Sequence, residues 1–179
     1  MRILTLLLLS LCYSIAYAEE PTFDFKGISL GADFSTVKDH PDFLLNCSSS
    51  SLADKECSLV PYAVGTIAGI QVEALSFLFF DDKLHNISIS IKQQFFGDVL
   101  SALEAKYGHG ELQTQEFQNR MGAKFQNRVY VWRRGKSNLT ASEYVGTLDK
   151  SMIMYYTDHY IKERDNRKAT GAGKRAKDL

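Results

Sequence analysis

The sequence predicts an α+β domain: an antiparallel sheet of about five to seven strands with two helices packed on one face. Three observations predict it. Residues 72–91 hold two β-patterned runs around Asp81-Asp82-Lys83, the mark of a hairpin. Residues 96–107 place Phe96, Val99, Leu100, Leu103 and Tyr107 on one helical face. Residues 113–160 then hold four more strand-like runs separated by short connections.

In chain order, Phe23, Phe25 and Ile28 suggest a short opening strand, and Gly31 ends it. Asp33 or Ser35 caps a short helix that turns Phe34 and Val37 inward, and Pro41 stops it. The stretch CSSSSLADKEC (47–57) follows as a loop. In the first run of the hairpin, Val72, Ala74, Leu78 and Phe80 share one parity and Leu75, Phe77 and Phe79 the other, so its second half reads as covered on both faces. The return strand alternates, with Ile87, Ile89 and Ile91 facing in and Asn86, Ser88 and Ser90 facing out. Gly108 suits the position just past the long helix. The later strands are read over 113–118 (polar enough for an edge), 125–133, 138–145 and 151–160, joined by RMGAK, RRGKS and GTLDK. A helix precedes a run of strands in both halves of the chain, which suggests two repeats of α-β-β type sharing one sheet.

Residues 1–18 read as a signal peptide: Arg2, an apolar run over 3–11, and the small-x-small site Ala16-Tyr17-Ala18. The run is too short for a spanning anchor, and no later run of the sequence is long enough to cross a membrane. An uncleaved helix, or a lipoprotein attached through Cys12, are the alternatives; Leu11 stands where a lipobox wants a small residue. The expected domain is therefore 19–161, periplasmic or secreted.

Leader cleavage leaves Cys47 and Cys57, and an exported chain with two cysteines most often pairs them. Their spacing rules out a C-x-x-C redox pair, and no His or further Cys lies close enough in sequence to suggest a metal site.

Charge is unevenly placed. Residues 19–161 carry 13 Lys and Arg against 18 Asp and Glu, a net −5, whereas residues 162–179 carry 7 against 3, a net +4. That last segment has no aromatic residue and one large aliphatic, Leu179. It reads as a disordered basic tail, a candidate for contact with an anionic surface or simply a solubilising end. The acidic body and the leader argue against a nucleic-acid partner.

The opening GISLGADFSTV, with Gly27, Ile28, Leu30, Gly31, Ser35 and Val37 at the matching positions, resembles the lead strand and helix of small exported bacterial proteins. These are of the BamE/SmpA type or the β-lactamase-inhibitor-protein-like type. The resemblance implies a binding, inhibitory or assembly role rather than catalysis. The missing lipobox departs from the BamE pattern.

No nucleophile elbow, Walker loop, H-E-x-x-H or dinucleotide fingerprint is present. GAGKR (171–175) lacks the spacing and the strand–helix context of a phosphate loop. Of the four histidines, His85 with Asp81 and Asp82 is the most ligand-like trio; the plainer reading is a strand histidine beside a solvated turn. No catalytic residue, metal or cofactor is expected. The best recognition candidate is RVYVWRRGK (128–136). If Val129 and Val131 face the core, Arg128, Tyr130, Trp132 and Arg134 share the outer face and form an interface. The converse arrangement turns Tyr130 and Trp132 toward the helices. Three Asn-x-Ser/Thr sequons, at Asn46, Asn86 and Asn138, would matter in a eukaryotic source; the reading adopted is bacterial.

The expected function is an exported, non-enzymatic protein-binding or inhibitor-like module of the cell envelope, acting through a sheet surface on a protein partner. An envelope-assembly component and a small periplasmic hydrolase are the alternatives.

Overall fold

The computed structural model describes residues 22–118 and 122–176. The leader read over 1–18, the tail end 177–179 and part of the RMGAK connection lie outside them.

β1 (Asp24–Phe25) and β2 (Ile28–Ser29) form a small ribbon ahead of α1 (Phe34–Lys38). β3 (Leu45–Ser48) pairs with β4 (Lys55–Leu59), and β5 (Thr66–Ile67) with β6 (Ile70–Gln71). β7 (Ala74–Phe80) and β8 (Lys83–Lys92) make the central hairpin. A 3-10 turn at Gln93–Phe95 leads into α2 (Phe96–Tyr107). β9 (Glu111–Gln118), β10 (Lys124–Arg134), β11 (Ser137–Ser142), β12 (Lys150–Thr157) and α3 (Asp158–Ala176) follow. Four of the turns are two residues long: Lys26-Gly27, Ala68-Gly69, Asp81-Asp82 and Gly135-Lys136. All six residues of the first three have positive φ, the geometry that matches the twist of the flanking strands, as does Gly135 in the fourth.

Eight strands make one antiparallel sheet in the order β3-β4-β7-β8-β12-β11-β10-β9. Two four-stranded meanders, each preceded by a helix, meet where β8 pairs with β12. The expectation of a balanced α+β domain is thereby corrected: the chain is mostly β, with a larger sheet than five to seven strands and three helices, one of only five residues. The expected α-β-β unit is also too small, since each half contributes four strands to the sheet. The shortfall arose at residues 45–59. KECSL carries no apolar alternation, yet backbone pairing with β7 recruits it as a strand.

Directly opposed residues of an antiparallel pair share a face. The registers therefore line up Cys47, Cys57, Phe77, Ile87, Tyr155, Leu139 and Trp132 across seven strands. This row lies in the main core, with Val37 of α1 and Phe96, Val99 and Leu103 of α2. Removing each of these large apolar side chains from water contributes roughly 1.5–3 kcal/mol. Phe23 and Tyr107 meet edge to face at 5.2 Å, and the Tyr107 hydroxyl donates to the Asp24 carbonyl at 2.7 Å, so the β1–β2 ribbon is clamped to the end of α2. Asp33 does not cap α1 through its side chain; its carboxylate pairs with Lys83 at 2.7 Å.

The cysteines do not close an irregular loop. They are cross-strand partners joined by a disulfide, and the serine-rich tip folds back, with Ala53 fully buried and the Ser50 hydroxyl donating to Glu56 at 2.8 Å.

The opposite face of the sheet carries a second apolar cluster, Ala53, Leu78, Phe80 and Tyr160, flanked by Met154, Tyr156 and Ile161. α3 docks there, which corrects the expectation of a disordered tail over residues 162–176. Helix-favouring Lys, Arg, Glu and Ala supply local propensity, and Tyr160 supplies the anchor. Arg167 extends the dock by donating to Asp54 at 2.6 Å and stacking 5.1 Å from the Phe80 ring.

A β-carbon at Gly110 would lie 2.7 Å from the Trp132 ring. Gly110→Ala is therefore expected to lower stability by about 1–3 kcal/mol through overpacking. Urea denaturation should show a lower midpoint at an unchanged slope.

Candidate interaction surface

Of the four residues of the predicted interface, Trp132 is buried, Tyr130 and Arg134 are half-buried and Arg128 stays exposed. Trp132 is buried, and its indole N–H donates to the Gly108 carbonyl at 2.7 Å. The Tyr130 ring lies 6.2 Å from that of Phe96. The Arg134 guanidinium sits 5.1 Å over Phe23 and 5.2 Å over Tyr107. Arg128 makes a two-pronged ion pair with Glu143, both contacts at 2.8 Å. The expectation that these side chains together present an outer face is corrected: Tyr130, Trp132 and Arg134 line the seam where α2 and the β1–β2 ribbon close over β10, and only Arg128 faces solvent. Alternation separates the two parities correctly, but it does not show that both are covered: Val129 and Val131 are buried as well as Trp132.

Glu143, just past β11, is a buried acid, its side chain 9% exposed against 51% for Arg128. The Arg128 guanidinium holds its carboxyl below the ordinary value despite the opposing effect of burial.

The histidines do not build a metal centre. Asp82 is engaged by Lys55 at 2.5 Å, and His85 turns instead to Thr157 and His159. His40 packs on Phe43, and His109 contacts Glu104 at 3.1 Å. Among the described residues no group of three or more His, Cys, Asp or Glu is placed to hold a metal ion. GAGKR is part of α3 rather than a loop.

A different surface emerges beside β4. Leu44, Tyr62 and Val64 are all exposed, Tyr62 completely. Val60 N–H donates to the Leu44 carbonyl at 2.9 Å, which brings these segments together. Ala63 N–H donates to the Val60 carbonyl at 3.0 Å, closing a turn with Pro61 and Tyr62 at its centre. Tyr62 has φ +72°. Proline second and positive φ third is the type II pattern, whose third position calls for glycine. Among the described residues five non-glycines have positive φ, and the other four occupy two-residue hairpin turns. Tyr62 is thus the one whose conformation strand pairing does not explain. Two open hollows, of about 790 Å³ and 440 Å³, adjoin it; both are bordered by Tyr62, Ala63, Val72 and Glu73, and the larger also by Ile70 and Phe95. Sequence reasoning missed this ridge because Pro-Tyr does not announce a type II turn.

No family model, no curated protein and no solved structure matches this chain. No helix among the described residues is long and apolar enough to cross a membrane.

Trp132 is the only tryptophan, so its fluorescence should be blue-shifted and poorly quenched by acrylamide in the folded protein. Replacing Glu143 with Gln should cost about 1–3 kcal/mol at neutral pH, the worth of a charge-assisted pair. Because the folded state depresses this carboxyl, the contribution is present above the unfolded value of about 4.3 and fades as pH falls through the folded one. Denaturation midpoints of wild type and Glu143→Gln should therefore converge in acid.

Proposed function

We propose that this chain is an exported, non-enzymatic binding protein of the bacterial envelope, and that it meets a protein partner through the Tyr62 ridge. The observation that carries the reading is a fully exposed aromatic side chain held in a backbone conformation suited to glycine. A bulky residue there costs on the order of 1–3 kcal/mol, and folding gains no contact in return. Aromatic side chains are the residues most often found as anchors at the centre of interfaces. Leu44 and Val64 supply apolar flanks, and the two hollows leave room for partner side chains. Export is supported by the Cys47–Cys57 disulfide, a bond that persists in oxidising compartments.

Tyr62→Gly separates fold from function. The variant should unfold at the same or a higher denaturant concentration, because glycine relieves the turn. Its retention of the partner that residues 19–179 recover from envelope extract should fall about thirtyfold, the loss of an anchor worth ~2 kcal/mol. Equal retention by the variant, or no specific retention by the wild type, overturns the reading.

A further inference from the structure

The dock of α3 contains a pair of histidines with no part in the Tyr62 ridge. A register shift at Leu78/Phe79 pairs Asn86 with Leu78 and Leu84 with Phe79, leaving His85 without a partner on β7. The His85 ring lies 4.6 Å from that of His159, in the first turn of α3. Both rings pack on Phe80, at 5.8 and 5.7 Å, and the Arg167 guanidinium stacks on the same ring. His85 Nδ1 is 2.8 Å from the Thr157 hydroxyl, and that hydroxyl also accepts the Tyr160 N–H at 3.2 Å. Thr157 thereby caps α3 and links the start of the helix to the β8 histidine.

We propose that His85 and His159 form a pH-sensitive latch, which holds α3 on the sheet while His85 is neutral and opens when His85 takes up a proton. A proton on His85 places a cation against the His159 ring, beside Arg167 and at the positive end of a helix of 19 residues. The surrounding carboxylates are mostly occupied. Asp158 accepts from Asn138 at 2.9 Å, Asp82 pairs with Lys55, and Asp54 holds Arg167 and the Asp81 N–H. Lys83, in the same turn, is engaged by Asp33. Asp81 is the one acid that favours a charged His85. Burial of His85, followed by the nearness of His159, outweighs it and lowers the His85 pKa. A depressed histidine favours the docked helix above the unfolded value of about 6.5, and that advantage is lost as pH falls through the folded value. Asp158 follows Thr157 without a linker, so release is a swing or fraying of α3 about that junction. It uncovers Phe80 and Leu78 while the sheet stays paired.

Amide hydrogen exchange on the full chain without its leader tests this, with rates corrected for intrinsic pH dependence. Between pH 7.5 and 5.0, protection across residues 158–170 should fall at least tenfold in the wild type, with β8 and β12 unchanged. His159→Gln, which alters an exposed ring, should reduce that fall to threefold or less. His85→Gln also removes the contact with Thr157, so the His159→Gln comparison is the decisive one. A wild-type helix with pH-independent protection overturns the proposal. So does a His159→Gln variant that keeps the full tenfold loss.

Discussion

The pairing of β8 with β12 is the constraint on which the rest of the structure depends. It runs from Lys92–Lys150 to Asn86–Tyr156 and joins segments that lie far apart in the chain. Each half carries its own meander, but an open four-stranded sheet would expose Ile87 and Ile89 on one side and Ile153 and Tyr155 on the other. Antiparallel contact between the two last strands buries all four together. Once it forms, the apolar row continues from Cys47 to Trp132, and α2 has an unbroken surface to cover. Such long-range closure costs chain entropy before its contacts form, which places this fold among the slower topologies.

The same closure leaves two edges, and the sheet treats them differently. At one edge β3 is only four residues long and is tied to β4 by the disulfide, with Cys57 fully buried against the Phe77 row. In the chain-entropy account a loop of this size contributes ~3 kcal/mol. At the other edge β9 is long but polar, and its Glu111 and Glu116 are bonded to Arg133 and Lys124 of the neighbouring strand. Short length, a covalent tie and charge are devices that discourage edge-to-edge association.

Strain and polarity mark what lies outside this framework. Positive φ at Lys26, Ala68, Asp81 and Asp82 belongs to hairpins and is repaid by strand pairing. Positive φ at Tyr62 is not repaid within the fold, and this sets the rim beside β4 apart from the seam at β10. The α3 corner differs again. Its histidines and arginine are packed on one phenylalanine. Core, rim and helix dock thus answer to three separate demands: burial, recognition and charge.

Local pattern alone determined a good part of this protein. The alternation of Ile87, Ile89 and Ile91, the helical face of 96–107, the turn at Asp81-Asp82 and the pairing of the two cysteines were all legible, because each rests on neighbours in the sequence. Tertiary structure decided what neighbours cannot. KECSL became a strand because β7 offered a free edge, and residues 162–176 became helix because Tyr160 found Phe80 and Leu78. Arg128, Tyr130, Trp132 and Arg134 kept the shared face that alternation assigns them, but α2 covered that face at Tyr130 and Trp132 and left Arg128 in solvent. Period and parity are properties of one strand; the direction of burial belongs to whatever packs against it. For that reason the candidate surface moved from Trp132 to Tyr62.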